Sequence, residues 1–355
     1  MSPSTVISID AMGGDLGPGP VVAGLARVLR KRPDLRFVLH GPRETLEPLL
    51  ARRRVIAAAC ELRHAPHVVP MEELPSRALR NRRDSSMWQA LETVRRGEAG
   101  VAVSAGNTGA LMAMAVISLR KARGVGRPAI AVHWPAARPE QFTTVLDVGA
   151  DIRADPVHMA QYALMGAEYA RLSLAIEHPR VGVLNLGTEP TKGPPELREA
   201  AERIEAAAAR PGSGFAYHGF VEGKDIPTDA VDVVVTDGFT GNVALKTAEG
   251  TAAMIRTALK EAFRSTPISR LAGLFAYTSL QRLRKRIDPR RVNGGVFLGL
   301  DGAVVKSHGS ADAIGFSSAV LLAGKMAEAG FTGRVARQIE RLEMGTQHDG
   351  DGKGT

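Results

Sequence analysis

The chain has 355 residues, 44% of them hydrophobic, with 38 Gly and 21 Pro, enough for a large core. Its net charge is +9, yet aromatics make up only 5% and no basic strand is studded with them, so no nucleic-acid partner is expected. A single cysteine excludes a disulfide framework and a thiolate metal cage, and nine His without paired spacing predict no metal; no cofactor is expected.

The first element is a strand, V-I-S-I-D at Val6–Asp10, reached almost at once. No basic region followed by an apolar stretch precedes it, and no apolar run approaches bilayer-spanning length, so the chain is expected to be cytoplasmic. The strand enters a glycine loop, Ala11–Pro20, and then a helix that starts V-V-A-G-L-A-R-V-L. Cys60 falls in an Ala-rich run without an evident activating His and is expected to be a packed, inert thiol. The second clear unit is A-G-V-A-V-S-A, then G-N-T-G at Gly106–Gly109, then the helix A-L-M-A-M-A-V-I-S-L.

Further strand-and-loop units begin at Thr143, Val181, Val231 and Ala303. Short Val/Leu runs separated by helical stretches predict an α/β fold with a mostly parallel, doubly wound sheet. Residues 1–344 are expected to form one interwound unit. Within it, residues 264–291 carry eight Lys/Arg against the single acid Asp288, as a basic amphipathic excursion. The polar, Gly-rich tail 345–355 is expected to be disordered. G-x-T-G occurs twice, at Gly106–Gly109 and Gly238–Gly241, and reads as one turn solution used twice rather than a repeat.

Ligands of parallel α/β sheets sit beyond the carboxyl ends of strands, where all these loops fall. A helix N-terminus there offers free N–H groups and a positive dipole end to an anion. G-N-T-G adds an amide, a hydroxyl and two glycines, so Gly106, Asn107, Thr108 and Gly109, with Ser104, form a candidate phosphate cradle. Ser104 has no visible His–Asp partner and is not expected to be a nucleophile. The nearest dinucleotide fingerprint, Gly124–Ala129, follows a helix and precedes a strand, the reverse of the required order. Lysine is scarce, 10 residues against 36 Arg, yet Lys192, Lys246 and Lys306 fall in or beside these loops. Lys is a compact donor suited to single oxygens. Lys192 and Lys306 are the candidates, whereas Lys246 reads as helix surface. His308, at a strand end, fits either a catalytic donor or a structural hydrogen-bonder. Asp10, Asp15, Asp147, Glu189 and Asp237 terminate strands or loops, where capping a helix or orienting a cation is the alternative to a site role.

Taken in order, the motifs D-A-M-G-G-D at Asp10, S-A-G-N-T-G at Ser104, R-P-A-I at Arg127 and L-D-V-G-A-D at Leu146 resemble the phosphate acyltransferase (PlsX) family. L-N-L-G-T-E-P-T-K-G at Leu184, the run from Asp232 to Lys246 and V-K-S-H-G-S-A-D at Val305 continue the resemblance. It departs at Asp151, where the family often has Asn, and at L-G-P-G-P after Asp15. The resemblance implies a fold like those of phosphotransacetylases and isocitrate/isopropylmalate dehydrogenases, and an enzyme that is usually a homodimer. It implies transfer of a long-chain acyl group from acyl carrier protein to inorganic phosphate. The acyl phosphate would feed a membrane-bound glycerol-phosphate acyltransferase in phospholipid synthesis.

On that footing Lys192, Lys306 and His308 are the expected catalytic residues. Gly13 and Gly14 join the substrate loops, and Thr240 and Asn242 line the opposite wall. Leu271, Leu274 and Phe275, with Arg282, Arg284, Lys285 and Arg286, would face an anionic membrane or the acidic carrier protein, the alternative being a solvated basic helix that packs on a dimer partner. The alternatives are a decarboxylating NAD-dependent dehydrogenase of related fold and a non-catalytic carrier-protein scaffold at the membrane.

Overall fold

A computed structural model describes residues 5–137, 141–153, 155–286 and 294–350. The strands are β1 (Val6–Asp10), β2 (Arg36–Gly41), β3 (Cys60–His64), β4 (Val101–Ser104), β5 (Ala129–Pro135), β6 (Phe142–Leu146), β7 (Arg180–Leu184), β8 (Ala216–Val221), β9 (Val233–Val235), β10 (Gly295–Leu298) and β11 (Ala303–Lys306). The helices are α1 (Pro18–Lys31), α2 (Arg43–Ala51), α3 (Arg54–Ala59), α4 (Pro75–Asn81), α5 (Ser86–Arg95), α6 (Thr108–Leu119) and α7 (Pro156–Leu174). They continue with α8 (Pro195–Ala208), α9 (Gly238–Ala262), α10 (Pro267–Phe275), α11 (Tyr277–Arg286), α12 (Ala313–Glu328) and α13 (Phe331–Gly350).

Among the described residues, eleven strands join one sheet in the order β3-β2-β1-β4-β11-β10-β5-β6-β9-β7-β8. The late strand β11 enters between β4 and β10, so the two ends of the chain are interwound. β3, β2, β1, β4 and β11 run parallel to one another, as do β6, β9, β7 and β8. Between these sets β10 is antiparallel to β11 and β5, and β5 is antiparallel to β6. The two parallel sets therefore point in opposite directions.

Helices cover both faces. Apolar residues of α1 recur at Val21, Val22, Leu25, Val28 and Leu29, the stripe of a helix laid on a sheet, and all are buried. With α7 and α12 they build one core, where Tyr162, Tyr169 and Phe316 are enclosed. α5 and α6 build the second core through Leu91, Leu111 and Met114. Each such side chain contributes roughly 1.5–3 kcal/mol on burial, so the two faces clamp the sheet and fix its loops. Cys60 is half-buried, and burial pushes its thiol up to about 12, in keeping with an inert residue.

α9 is different. Of its 25 residues only Gly238 and Gly241 are buried, and Phe239, Val243, Met254 and Ile255 face solvent. α10 follows with no buried residue. The 264–291 segment thus holds two helices, α10 and α11, separated at Ala276, with residues 287–291 outside the described ones. The expected unstructured tail is helical backbone as far as Gly350, because α13 continues from Phe331 without a proline to stop it. Residues 351–355 lie outside the described ones. No described helix is long and apolar enough to cross a membrane.

Candidate active site

β1, β4 and β11 are neighbours and end together, which places Asp10, Ser104 and Lys306 side by side. Each of the three is buried. The Ser104 hydroxyl donates to Asp10 Oδ2 at 2.6 Å, and its oxygen accepts from the Gly106 N–H at 3.0 Å. Asp10 Oδ1 accepts from the N–H groups of Met12 and Gly13, at 3.3 and 3.2 Å. Ser104 is therefore committed to holding the loops in place.

Gly13 is required here. A Cβ at that position would stand 2.6 Å from the Gly106 nitrogen and 2.7 Å from Asp10 Oδ2. Gly14 has φ +99°, which side chains resist, and Asp15 N–H donates to Gly309 O at 2.8 Å. The loops after β1, β4 and β11 thus interlock through backbone, with no room for larger residues at these positions.

Lys306 lies beneath this junction. Its ammonium donates to Ala105 O at 3.2 Å and Ser307 O at 2.5 Å. Burial lowers it to about 8; Asp10 and Asp15 oppose that shift, while the field of Lys246 adds to it. Asp15 is therefore part of the electrostatics of the site, whereas Lys246 is the helix-surface residue its sequence suggests, exposed on α9 and paired with Glu249 at 2.8 Å, and its field is the weakest of these influences.

His308 is exposed, two residues along. Its Nδ1 accepts from the Ser310 N–H at 3.3 Å and lies 2.9 Å from the Ser310 hydroxyl. An acceptor Nδ1 assigns the proton to Nε2, making that edge of the ring a donor.

The G-N-T-G turn divides its labour. Asn107 is the N-cap of α6, its Oδ1 accepting from the Ala110 N–H at 3.0 Å. Its Nδ2 donates to the carbonyls of Met71 and Glu73, both at 2.8 Å. The amide is therefore occupied by capping and by tying down the 70–73 segment, not left open to a ligand. Nothing in the local sequence links Asn107 to a segment more than thirty residues upstream. Thr108 and Gly109 are exposed in the first turn of α6, where backbone N–H groups lack intrahelical acceptors. The second G-x-T-G differs: its cap is Asp237, which precedes the first glycine and accepts from the Thr240 N–H and hydroxyl, at 2.8 and 2.7 Å. The two strings share residues but not cap position.

The remaining candidates occupy the carboxyl ends of the oppositely running set. Lys192 and Glu189 are exposed and pair with each other at 2.9 Å, in the loop after β7. Asp237, Thr240 and Asn242 start α9 after β9, with Thr240 and Asn242 exposed. Near them Asp147, fully buried, accepts from the backbone N–H groups of Ile130, Gly149, Ala150 and Asp151. Burial raises its carboxyl to about 6 against those bonds. This group organises the L-D-V-G-A-D loop from within. Leu271, Leu274 and Phe275 are exposed on α10 and Arg282 on α11; the side chains of Arg284, Lys285 and Arg286 lie outside those described. Among the described residues no group of His, Cys, Asp and Glu is arranged to hold a metal ion.

The sheet order, the two helical layers and the interlocked loops define an α/β enzyme of phosphotransacetylase-like fold. A phosphotransacetylase from Streptococcus pyogenes superposes with a TM-score of 0.61 at 16% identity, over 93% of this chain and 95% of that one. EutD phosphotransacetylase from Staphylococcus aureus gives 0.56 at 13% identity, over 91% and 94%. At these identities the likeness speaks for the fold. In sequence, the phosphate acyltransferase of Jannaschia sp. (strain CCS1) is 59% identical over 339 residues, 96% of this chain and 92% of that protein. That of Ruegeria sp. (strain TM1040) is 58% identical over 335 residues, 94% and 89%. Residues 5–334 match the family of fatty acid synthesis proteins. The chain belongs to that family, among its phosphate acyltransferases, and is an acyltransferase.

Proposed function

We propose that the protein transfers a long-chain fatty acyl group from acyl carrier protein to inorganic phosphate, forming acyl phosphate for phospholipid synthesis. The observation that carries this reading is Lys306, a buried cation at the meeting point of three glycine loops, close to the exposed first turn of α6. A lysine held there, with one of its three donors still to place, suits a phosphate oxygen. The N–H groups of Thr108 and Gly109 suit the others.

Phosphate is already an oxygen nucleophile near neutral pH, so the task is to bind it and aim it. A phosphate oxygen bonds to the thioester carbonyl carbon, and the C–S bond breaks. The carrier thiolate leaves with the proton that monohydrogen phosphate gives up. In this reading His308, with its proton on Nε2, donates to the oxyanion or to the departing sulfur. Lys192 and Glu189, together with Thr240 and Asn242, belong to the opposite wall. The chemistry passes through a ternary complex without an acyl-enzyme, consistent with a Ser104 hydroxyl already bonded to Asp10.

The test is purified protein with palmitoyl carrier protein and phosphate, read by mass spectrometry. Phosphate-dependent acyl phosphate together with free carrier thiol is the expected result. An intact thioester under those conditions sinks the proposal.

The exposed apolar residues of α10 support a second element of the reading, peripheral attachment to the inner face of the cell membrane. There the product would pass to a membrane-bound glycerol-phosphate acyltransferase. Leu274 and Phe275 are 70% and 80% exposed, an unusual placement for such side chains on a helix followed by basic residues. The exposed face of α9 suits a second copy of the chain in a homodimer. Leu274→Asp combined with Phe275→Asp should abolish co-sedimentation with anionic vesicles; unchanged sedimentation removes the lipid contact from the scheme.

A further inference from the structure

Outside the Asp10–Ser104–Lys306 cluster, a groove of about 540 Å³ runs along α12, between the outer face of α1 and the end of α7. It begins beside the catalytic loop. Ile314 lines its upper end, two residues after Asp312, which caps α12 and closes the loop that carries Lys306 and His308. Lys325 lines the other end, about 16 Å further along the helix at 1.5 Å per residue.

The lining is mixed. Leu174, Leu321 and Leu322 supply apolar surface, and Ser317 and Ser318 supply hydroxyls. His133 contributes a neutral ring: burial takes it down to about 3, and its Nε2 has no hydrogen-bond partner. A buried polar atom left in that state calls for a ligand or water. Arg27, Arg30 and Lys31 of α1 flank the lower half of the groove. Their position is fixed by two contacts between the helices, Gly24 against Phe316 and the ion pair of Arg32 with Glu328. Among the described residues no carboxylate is ion-paired with Arg27, Arg30, Lys31 or Lys325.

The charge distribution selects the occupant. A free fatty acid lying in the groove with its reacting carboxyl near His308 would put its apolar tail among four cations. The opposite pattern is needed: reacting group at the catalytic loop, a slender chain bearing amides along the middle, and negative charge at the far end. A phosphopantetheine arm attached to an acidic carrier protein has that pattern.

We infer that the groove along α12 is the approach path of the carrier's prosthetic arm, and that Arg27, Arg30, Lys31 and Lys325 dock the acidic carrier. This rests on the acyl-carrier reading above and adds the surface it uses, on the α1–α12 face rather than on α10 and α11. Steering by such a rim acts on encounter and is screened by salt.

The experiment compares two substrates, palmitoyl carrier protein and a palmitoyl thioester of a small thiol, in the wild type and in the triple variant Arg27→Glu, Arg30→Glu, Lys31→Glu. These residues are exposed, so the fold is retained. KM for the carrier substrate should rise by about tenfold or more, with a weakened salt dependence, while turnover of the small thioester is unchanged. A second variant, Ser318→Trp, fills the groove without touching the rim and should lower kcat for the carrier substrate selectively. An unchanged carrier KM in the triple variant overturns the inference, as does an equal loss with both substrates. A wild type that does not use the carrier substrate at all is a distinct outcome and overturns the underlying reading instead.

Discussion

Lys306 and Lys192 share one sequence description, a rare lysine in a glycine loop, and the structure treats them in opposite ways. Lys306 is 9% exposed, held by two carbonyls under three interlocked loops, with its ammonium lowered to about 8. The Lys192 side chain is 52% exposed and spends its charge on Glu189, a neighbour on the same loop. A charge in water at 4 Å from its partner gains about 1 kcal/mol, and a buried one interacts several times more strongly. The contrast separates a lysine that can stabilise a reacting anion from one that can at most attract it.

The sharpest way to break this contrast is Lys306→Met. Loss of one preorganised donor to the reacting centre should reduce kcat/KM by about 10²–10³, read in the phosphate-dependent assay. The same variant should be more stable at neutral pH. A lysine lowered from 10.5 to about 8 costs the folded state about 3 kcal/mol while it is charged in both states, below pH 8. Retained activity would place the anion elsewhere.

Next in size is the pH dependence of the unmodified protein. Between pH 8 and 10.5 the unfolded chain binds the Lys306 proton and the folded chain does not, so the Lys306 contribution to stability rises with pH across that window. Activity should fall over the same range, with an alkaline limb near pH 8 and tenfold loss per unit beyond it if protonated Lys306 is essential. Saturating phosphate should move the limb upward, because the bound anion favours the charged form. A limb that persists in Lys306→Met would belong to another group.

The smallest effect is expected for Lys192→Ala. An exposed ion pair is worth about 0–1 kcal/mol, so stability should be nearly unchanged. The value of kcat/KM should fall by no more than about tenfold, mainly through a higher KM for phosphate. A loss as large as that of Lys306→Met would mean that the β7 loop closes onto the substrate and that the two lysines are equals.

Much of this site is legible in the sequence because it is built from local chemistry. β1, β4, β6, β7, β9 and β11 read directly as short apolar runs ending in glycine turns, and Asp237 takes the capping role its position suggests, whereas Asn107, which reads as a ligand amide, caps α6 instead. Other features had no local signal. Asn107 bonds to carbonyls at residues 71 and 73, Asp15 acts on Lys306 from the loop after another strand, and β5 and β10 reverse the sheet between its two parallel sets. Each depends on which distant segments become neighbours.

The sequence by itself determined the class of fold, the positions of the loops and the family, because alternation, glycine placement and motif order are properties of the chain. Tertiary structure alone decided which lysine is buried, which amides are already committed, and that the candidate loops sit on strands running in opposite directions. Burial and partnership arise only when separate parts of the chain exclude water from one another, and that exclusion is what turns an ordinary Lys306 into a responsive one.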